Sequence, residues 1–201
     1  MLPASYLSPA SAVILSPVLR TFRARGRGER AVEHAFPGAT IVRPSPMFRP
    51  GDALFGTLAH LARLLPVLPL IGDGHARLQP VYVEDVAEAI ARILADPATA
   101  GRTYEFAGPD VYTMRELVMI VLRIIGKQRL LVPVPFAVAE AQARLFELLP
   151  NPPLTTGQVD LLKADNVASG TLPGLRELNI QPTSVEEILP TYLGRSQRES
   201  G

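Results

Sequence analysis

The 201-residue sequence predicts an α/β fold with an appended, mostly helical C-terminal lobe. Three observations predict it. Between residues 28 and 129 short apolar runs alternate with stretches of helical apolar spacing, which is the order of an α/β chain rather than of two segregated layers. From Leu130 the pattern changes, and Pro133, Pro135, Pro150, Pro152 and Pro153 frame helical segments. With 47% hydrophobic and 19% charged residues, the chain also has enough apolar material for one domain-sized core.

Each element follows from local pattern. Gly28 to Ala35 reads as the end of a helix with Ala31, Val32 and Ala35 on its apolar side, stopped by Phe36-Pro37-Gly38. Ala39 to Val42 is a short buried strand, closed by Arg43-Pro44 because a residue before proline is pushed to extended geometry and proline cannot continue a central ladder. Ala53 to Leu65 carries Leu54, Leu58, Leu61 and Leu65 at helical spacing. Leu78 to Val83 is extended. The helix after it, Glu84 to Leu94, places Val86, Ile90, Ile93 and Leu94 on one face and two acids in its first turn, where the dipole favours them.

Arg102 to Ala107 is a strand, and Gly108-Pro109-Asp110 a turn. Thr113 with Glu116 has capping-box spacing ahead of Leu117, Ile120, Val121 and Ile124. Helices follow over Phe136 to Leu149, Thr156 to Lys163 and Val185 to Leu189. The expected organisation is an irregular segment over 1–27, an α/β part over 28–129, a helical lobe over 130–193 and a frayed tail over 194–201.

Composition excludes several functions. A net charge of +1 gives no global field to attract nucleic acid. The absence of cysteine removes disulfides, thiolate catalysis and Cys-ligated metal together. His34, His60 and His75 have no ligand spacing, so no metal site is expected. No apolar run reaches the roughly 18–20 residues that span a bilayer. The greasy run Leu61 to Ile71 is interrupted by Pro66 and Pro69 and reads equally as a buried, irregular core segment or as a surface that docks on a membrane or partner. Met1 to Gly28 lacks acids and carries Arg20, Arg23, Arg25 and Arg27. That composition suits a mitochondrial transit peptide, an arginine-rich surface loop, or a coding sequence begun inside a longer gene.

Three segments in order carry a resemblance: residues 39–52 (ATIVRPSPMFRPGD), 79–87 (QPVYVEDVA) and 101–109 (GRTYEFAGP). They are similar to the strand-to-loop passage, the following strand and helix, and the last strand of extended short-chain dehydrogenases/reductases. Residues 35–40 (AFPGAT), 64–70 (LLPVLPL), 79–83 and 155–166, with its QVDLL core, narrow this to one subgroup. The chain resembles the nucleotide-binding accessory subunits of respiratory complex I (NADH:ubiquinone oxidoreductase) and their bacterial relatives over roughly Gly28 to Leu193.

The resemblance implies an incomplete Rossmann-like sheet and a non-catalytic accessory or assembly subunit at the membrane-adjacent arm. It further implies NADPH or NADH as a structural cofactor and other complex I subunits as partners. The implied location is peripheral to the membrane, on the cytoplasmic face of a bacterial inner membrane or in the cytoplasm, or else the matrix side of the mitochondrial inner membrane. The alternatives are an NAD-dependent sugar-nucleotide epimerase or dehydratase, and a protein-interaction module without nucleotide.

Two family features are missing. No glycine-rich turn follows a strand anywhere in the sequence, although such a turn lets backbone N–H groups approach a pyrophosphate. Counting back from Gly28-Glu29, the family's catalytic Tyr falls on Thr21, or on Val18 if the helix carries an insertion, and its Lys falls on Arg25. A threonine hydroxyl titrates too high to act as the general acid, so no catalytic residue is assigned. The loop after the strand implies Arg43, Pro44, Ser45 and Met47, with Arg25, as cofactor contacts. His75, Arg77 and Gln79 are weaker candidates for substrate or partner contact, against the plainer reading of a solvated turn. Glu84 and Asp85 are adjacent on a helix and do not face each other, so they read as first-turn charges rather than an acid/base pair.

Overall fold

A computed structural model of the chain describes residues 13–15, 22–150, 152 and 154–194, with side chains from residue 28 onward. Its centre is a parallel sheet of β1 (Val13–Leu15), β2 (Thr40–Pro44) and β7 (Thr103–Phe106), in the order β1-β2-β7. Strand β2 lies between the other two, with Ile14 beside Ile41 and Val42 beside Tyr104. This position explains its composition: a strand covered on both faces reads as a near-continuous apolar run, and Ile41 and Val42 are both buried.

Helix α1 (Phe22–Ala35) connects β1 to β2, and α3 (Val83–Ala95) lays Val86, Ala89 and Ile93 on the sheet. These side chains meet Val42, Val81, Tyr104 and Phe106, with Leu175 and Ile180 from the later chain, in one core cluster. Residues 1–27 were expected to be irregular, yet β1 and the start of α1 fall there. The strand is only three residues long between serines and prolines, so nothing but its pairing with Thr40–Val42 distinguishes it. With β1 in place, β2 has a neighbour on each side.

A second core cluster joins α2 (Ala53–Leu64), β4 (Val67–Ile71), α4 (Met114–Ile124) and α7 (Val185–Leu193). Leu117, Leu189, Phe55 and Leu70 are among its buried members. Helix α4 starts with the expected capping box: Glu116 N–H donates to Thr113 Oγ1 at 3.2 Å, and Thr113 N–H to Glu116 Oε2 at 2.7 Å. The segment after Leu130 is mostly helical, with α5 (Phe136–Phe146), α6 (Thr156–Leu161) and α7, but α7 packs into the same core as α2 and α4. A small third cluster, Ala139, Ala143 and Val159, holds α5 to α6.

The run Leu61 to Ile71 corrects the expectation of irregular backbone. Its first part ends α2, and its second part is β4, paired in parallel with β9 (Leu130–Val134). The prolines fit because only alternate N–H groups of a strand point at its neighbour. Gly72 N–H donates to Val134 O at 2.7 Å, which fixes the phase and turns the nitrogens of Pro69 and Pro133 outward. Among the described residues no helix is long and apolar enough to cross a membrane.

Candidate functional site

In parallel α/β sheets ligands bind outside the carboxyl ends of the strands. Here that edge is formed by the ends of β2 and β7 and by the loop that leaves β2. After Pro44 the chain passes through Ser45-Pro46 into β3 (Met47–Phe48), which pairs with β6 (Val81–Tyr82). The loop is pinned by its own backbone. Ser45 N–H donates to Phe106 O at 2.8 Å, and Val81 N–H to Pro46 O at 3.0 Å. Pro44 and Ser45 are buried, whereas the Met47 side chain is exposed.

Downstream, Asp52 fixes the other end of the loop. Its carboxylate caps α2 through Phe55 N–H at 2.6 Å and accepts the Tyr192 hydroxyl at 2.9 Å. Phe48 packs edge-on to Phe55 and tilted against Tyr82, with centroids 5.9 and 5.5 Å apart. Burial, and then the hydrogen bond to Asp52, push the Tyr192 phenol far above its ordinary value. Burial, and then Glu84, raise that of Tyr82. Both phenols stay neutral at neutral pH.

Arg43 is held inside the fold. Its Nε donates to Glu29 Oε1 at 3.1 Å and its Nη2 to Glu29 Oε2 at 2.7 Å, a bidentate pair from β2 to α1. Glu105, its register partner on β7, lies 4.0 Å from Nη1. Glu105 in turn accepts the N–H and hydroxyl of Ser169, both at 2.7 Å. The hydrogen bond to Glu29 leads the causes that raise the Arg43 pKa, and burial opposes it. With both carboxylates engaged, this guanidinium is a structural tie rather than a free phosphate ligand. Arg25 lies on α1, with its side chain outside the described residues, as are Thr21 and Val18 altogether.

The weaker candidates sit elsewhere and are also tied. Arg77 is on β5 (Arg77–Leu78), which pairs with β8 (Tyr112–Thr113). Its Nε donates to Asp165 Oδ2 at 2.8 Å and its own N–H to Asp165 Oδ1 at 2.9 Å. These bonds from Arg77 hold the Asp165 carboxyl below the usual range. Gln79 spans two backbones, donating to Gly108 O at 2.8 Å and accepting Ala168 N–H at 3.0 Å. Gly108 has no room for a side chain, since a Cβ there would lie 2.0 Å from the Pro80 carbonyl oxygen. His75 is exposed at the turn after β4, with its N–H donated to Asp73.

The structure therefore brings Pro44, Ser45 and Met47 together by chain continuity and separates them from the Arg77–Gln79 tie. Sequence reading missed Glu29 and Glu105 as partners of Arg43, Asp165 as partner of Arg77, and the Asp52–Tyr192 bond. Arg43 and Glu105 had a signal, each being a charged position within an apolar strand. Asp52 and Tyr192 are 140 residues apart and had none. Asp85 is buried and accepts Thr183 N–H at 2.7 Å and its hydroxyl at 3.0 Å, so it anchors the segment before α7. Among the described residues no group of three metal-ligating side chains converges.

A dinucleotide fits this edge only in part. The exposed thioether of Met47 and the fixed backbone beside it suit a flat ring such as nicotinamide. The Ser45 N–H is already bonded, and neither it nor Arg43 is free for a phosphate.

No family model matches the sequence. The chain is 36% identical over 173 residues to NADH dehydrogenase [ubiquinone] 1 alpha subcomplex subunit 9, mitochondrial, of Arabidopsis thaliana, covering 81% of this chain and 43% of that protein. The rat protein of the same description is 36% identical over 169 residues, 83% of this chain and 45% of the relative. The Neurospora crassa NADH-ubiquinone oxidoreductase 40 kDa subunit is 32% identical over 86% of this chain and 45% of the relative. The chain thus spans less than half the length of the curated relatives it matches.

Two solved structures show the fold. A Staphylococcus aureus nucleoside-diphosphate-sugar epimerase superposes with a TM-score of 0.66 at 21% identity, over 89% of this chain and 63% of that one. The Thermus thermophilus UDP-glucose 4-epimerase, solved as a complex with NAD, gives 0.61 at 16% identity, over 94% and 64%. The chain thus has a Rossmann-like fold of the kind seen in these epimerases, and over more than four fifths of its length it is similar in sequence to the alpha subcomplex subunit 9 proteins of mitochondrial complex I.

Proposed function

We propose that this chain works as a non-catalytic accessory or assembly part of NADH:ubiquinone oxidoreductase, and that its β2 loop forms the nicotinamide-facing wall of an NADPH- or NADH-binding fold. The observation that carries this reading is the similarity to complex I subunits along more than four fifths of the chain. The likeness to epimerases that hold NAD adds the cofactor class. Pro44, Ser45 and Met47 are the proposed contacts, with Arg25 from α1, and Arg43 braces the strand that presents them. The relatives are described as mitochondrial, and a place beside the inner membrane follows for this chain as part of the same proposal.

Assembly tests the first half. Tagged chain expressed in its own cells should comigrate with NADH:ubiquinone oxidoreductase activity on native gels, and its removal should lower the amount of assembled complex. Migration only as a free small protein, with the complex unchanged on removal, overturns the reading.

Calorimetry tests the second half. This sequence supplies no row of phosphate-binding N–H donors, so the chain alone should bind NADPH weakly, in the high micromolar range or above. The epimerase-like fold raises an enzymatic reading, which turnover of sugar nucleotides or ketones would establish if it were lost on Thr21→Ala.

A further inference from the structure

We propose that the outer face of the β4–β9 ribbon is a docking surface for an anionic phospholipid headgroup layer. The strands alternate as a half-buried ribbon should: Leu68 and Leu70 face the core, while Val67 and Pro69 face out. The outward set is apolar instead of polar. Val67 stands beside Leu130 and Pro69 beside Val132, and Leu64 and Leu65 extend the strip at the end of α2. Leu64 and Leu130 are each about two thirds exposed, at 66% and 65%. A continuous exposed apolar strip of this kind marks an interaction surface.

Charge decides the occupant. Residues 53–72 and 117–139, which build α2, the ribbon and most of α4, contain no Asp or Glu. They do contain Lys127 and Arg129, as well as Arg63 and Arg123, which are engaged by Leu193 O and by Glu186. Arg129 Nε donates to Ala62 O at 2.8 Å, which sets this cation over the C-terminus of α2 beside Leu64 and Leu65. Lys127, two residues earlier in the chain, is exposed. An apolar strip with Lys127 and Arg129 at one end, on segments that carry no acid of their own, matches an interfacial lipid contact, with hydrocarbon below and anionic headgroups at the rim.

Two other occupants fit less well. An added strand needs N–H donors along the ribbon edges, and the Pro69 and Pro133 nitrogens sit at outward positions. A second copy meeting this face symmetrically would bring two sets of Lys127 and Arg129 into one interface, with no acid on the ribbon segments to offset them. The inference goes beyond the accessory-subunit reading and is measured without complex I, so either can fail alone.

The test is sedimentation of the full chain with phosphatidylcholine vesicles, with and without phosphatidylglycerol. Binding should require phosphatidylglycerol and weaken with salt. Lys127→Ala should lower the partition coefficient about fivefold, the effect of one cation near such a surface. Leu64→Asp with Leu130→Asp should abolish binding while leaving the thermal melt in place, because both side chains are exposed. The proposal is overturned if the wild-type chain ignores both vesicle types, or if the double variant sediments as the wild type does. A wild-type dimer in light scattering that dissociates on Leu130→Asp would also overturn it, by making a second copy the occupant.

Discussion

The carboxyl edge of β2 and the β4–β9 ribbon treat their side chains in opposite ways. At the first, Arg43 and Asp52 are consumed by the fold, Arg43 by Glu29 and Glu105 and Asp52 by Tyr192, and away from it Arg77 is tied to Asp165 in the same way. At the second, leucine and valine stand in solvent. A polar residue that looks like a ligand contact can be a brace, and an apolar run that looks like core can be half surface. The difference arises because a partly buried charge must find a partner, whereas an exposed apolar side chain needs none.

The two faces of the ribbon give the largest contrast. Leu70→Ala removes a fully buried side chain from the main core and should cost about 2–5 kcal/mol in urea unfolding. A loss below about 1 kcal/mol would mean that β4 is not the anchored strand described above. Next comes the brace. The Arg43 side chain is 38% exposed and that of Glu29 13%, so solvent screens their pair and Arg43→Ala should cost only about 1–2 kcal/mol. Arg43→Lys should recover less than half of that, because an ammonium cannot replace the two-point contact. Full recovery would reduce the pair to simple charge neutralisation.

Tyr192→Phe should cost about 1 kcal/mol by deleting one hydrogen bond to Asp52. The same phenol gives an alkaline dependence. Burial and the Asp52 carboxylate raise the Tyr192 pKa, and burial and Glu186 that of Tyr112, so the folded state holds both protons more tightly. Their contribution is complete below the unfolded value of about 10 and is lost as pH rises beyond it. Urea midpoints should therefore fall above pH about 10, and less steeply in Tyr192→Phe. Identical slopes in the two proteins would remove Tyr192 from this account. Smallest is Leu130→Ser on the exposed face, within about 0.5 kcal/mol. A larger loss would show that the outer ribbon face is covered after all.

Much of the fold was legible where local pattern is strong. The helices α2, α3 and α4, the strands β2 and β7 and the Thr113 capping box follow from apolar spacing and cap chemistry over a few residues. Strands β1, β4 and β9 did not, because each is short or proline-bearing and exists through its partner. At the candidate site, Pro44, Ser45 and Met47 were readable as one loop. The partners of Arg43, Arg77 and Asp52 were not, since they lie 14 to 140 residues away in sequence.

By itself, then, the sequence determined the α/β order, the family resemblance, the absence of cysteine chemistry and the absence of a glycine-rich phosphate turn. These rest on residue identity and on contacts within a turn or two of chain. Only the tertiary structure decided that β2 is a central strand, that Arg43 is a brace and that five of the eight residues from Leu64 to Ile71 face water. Those depend on which distant segments meet, and side-chain pairing and burial are set by that meeting rather than by local pattern.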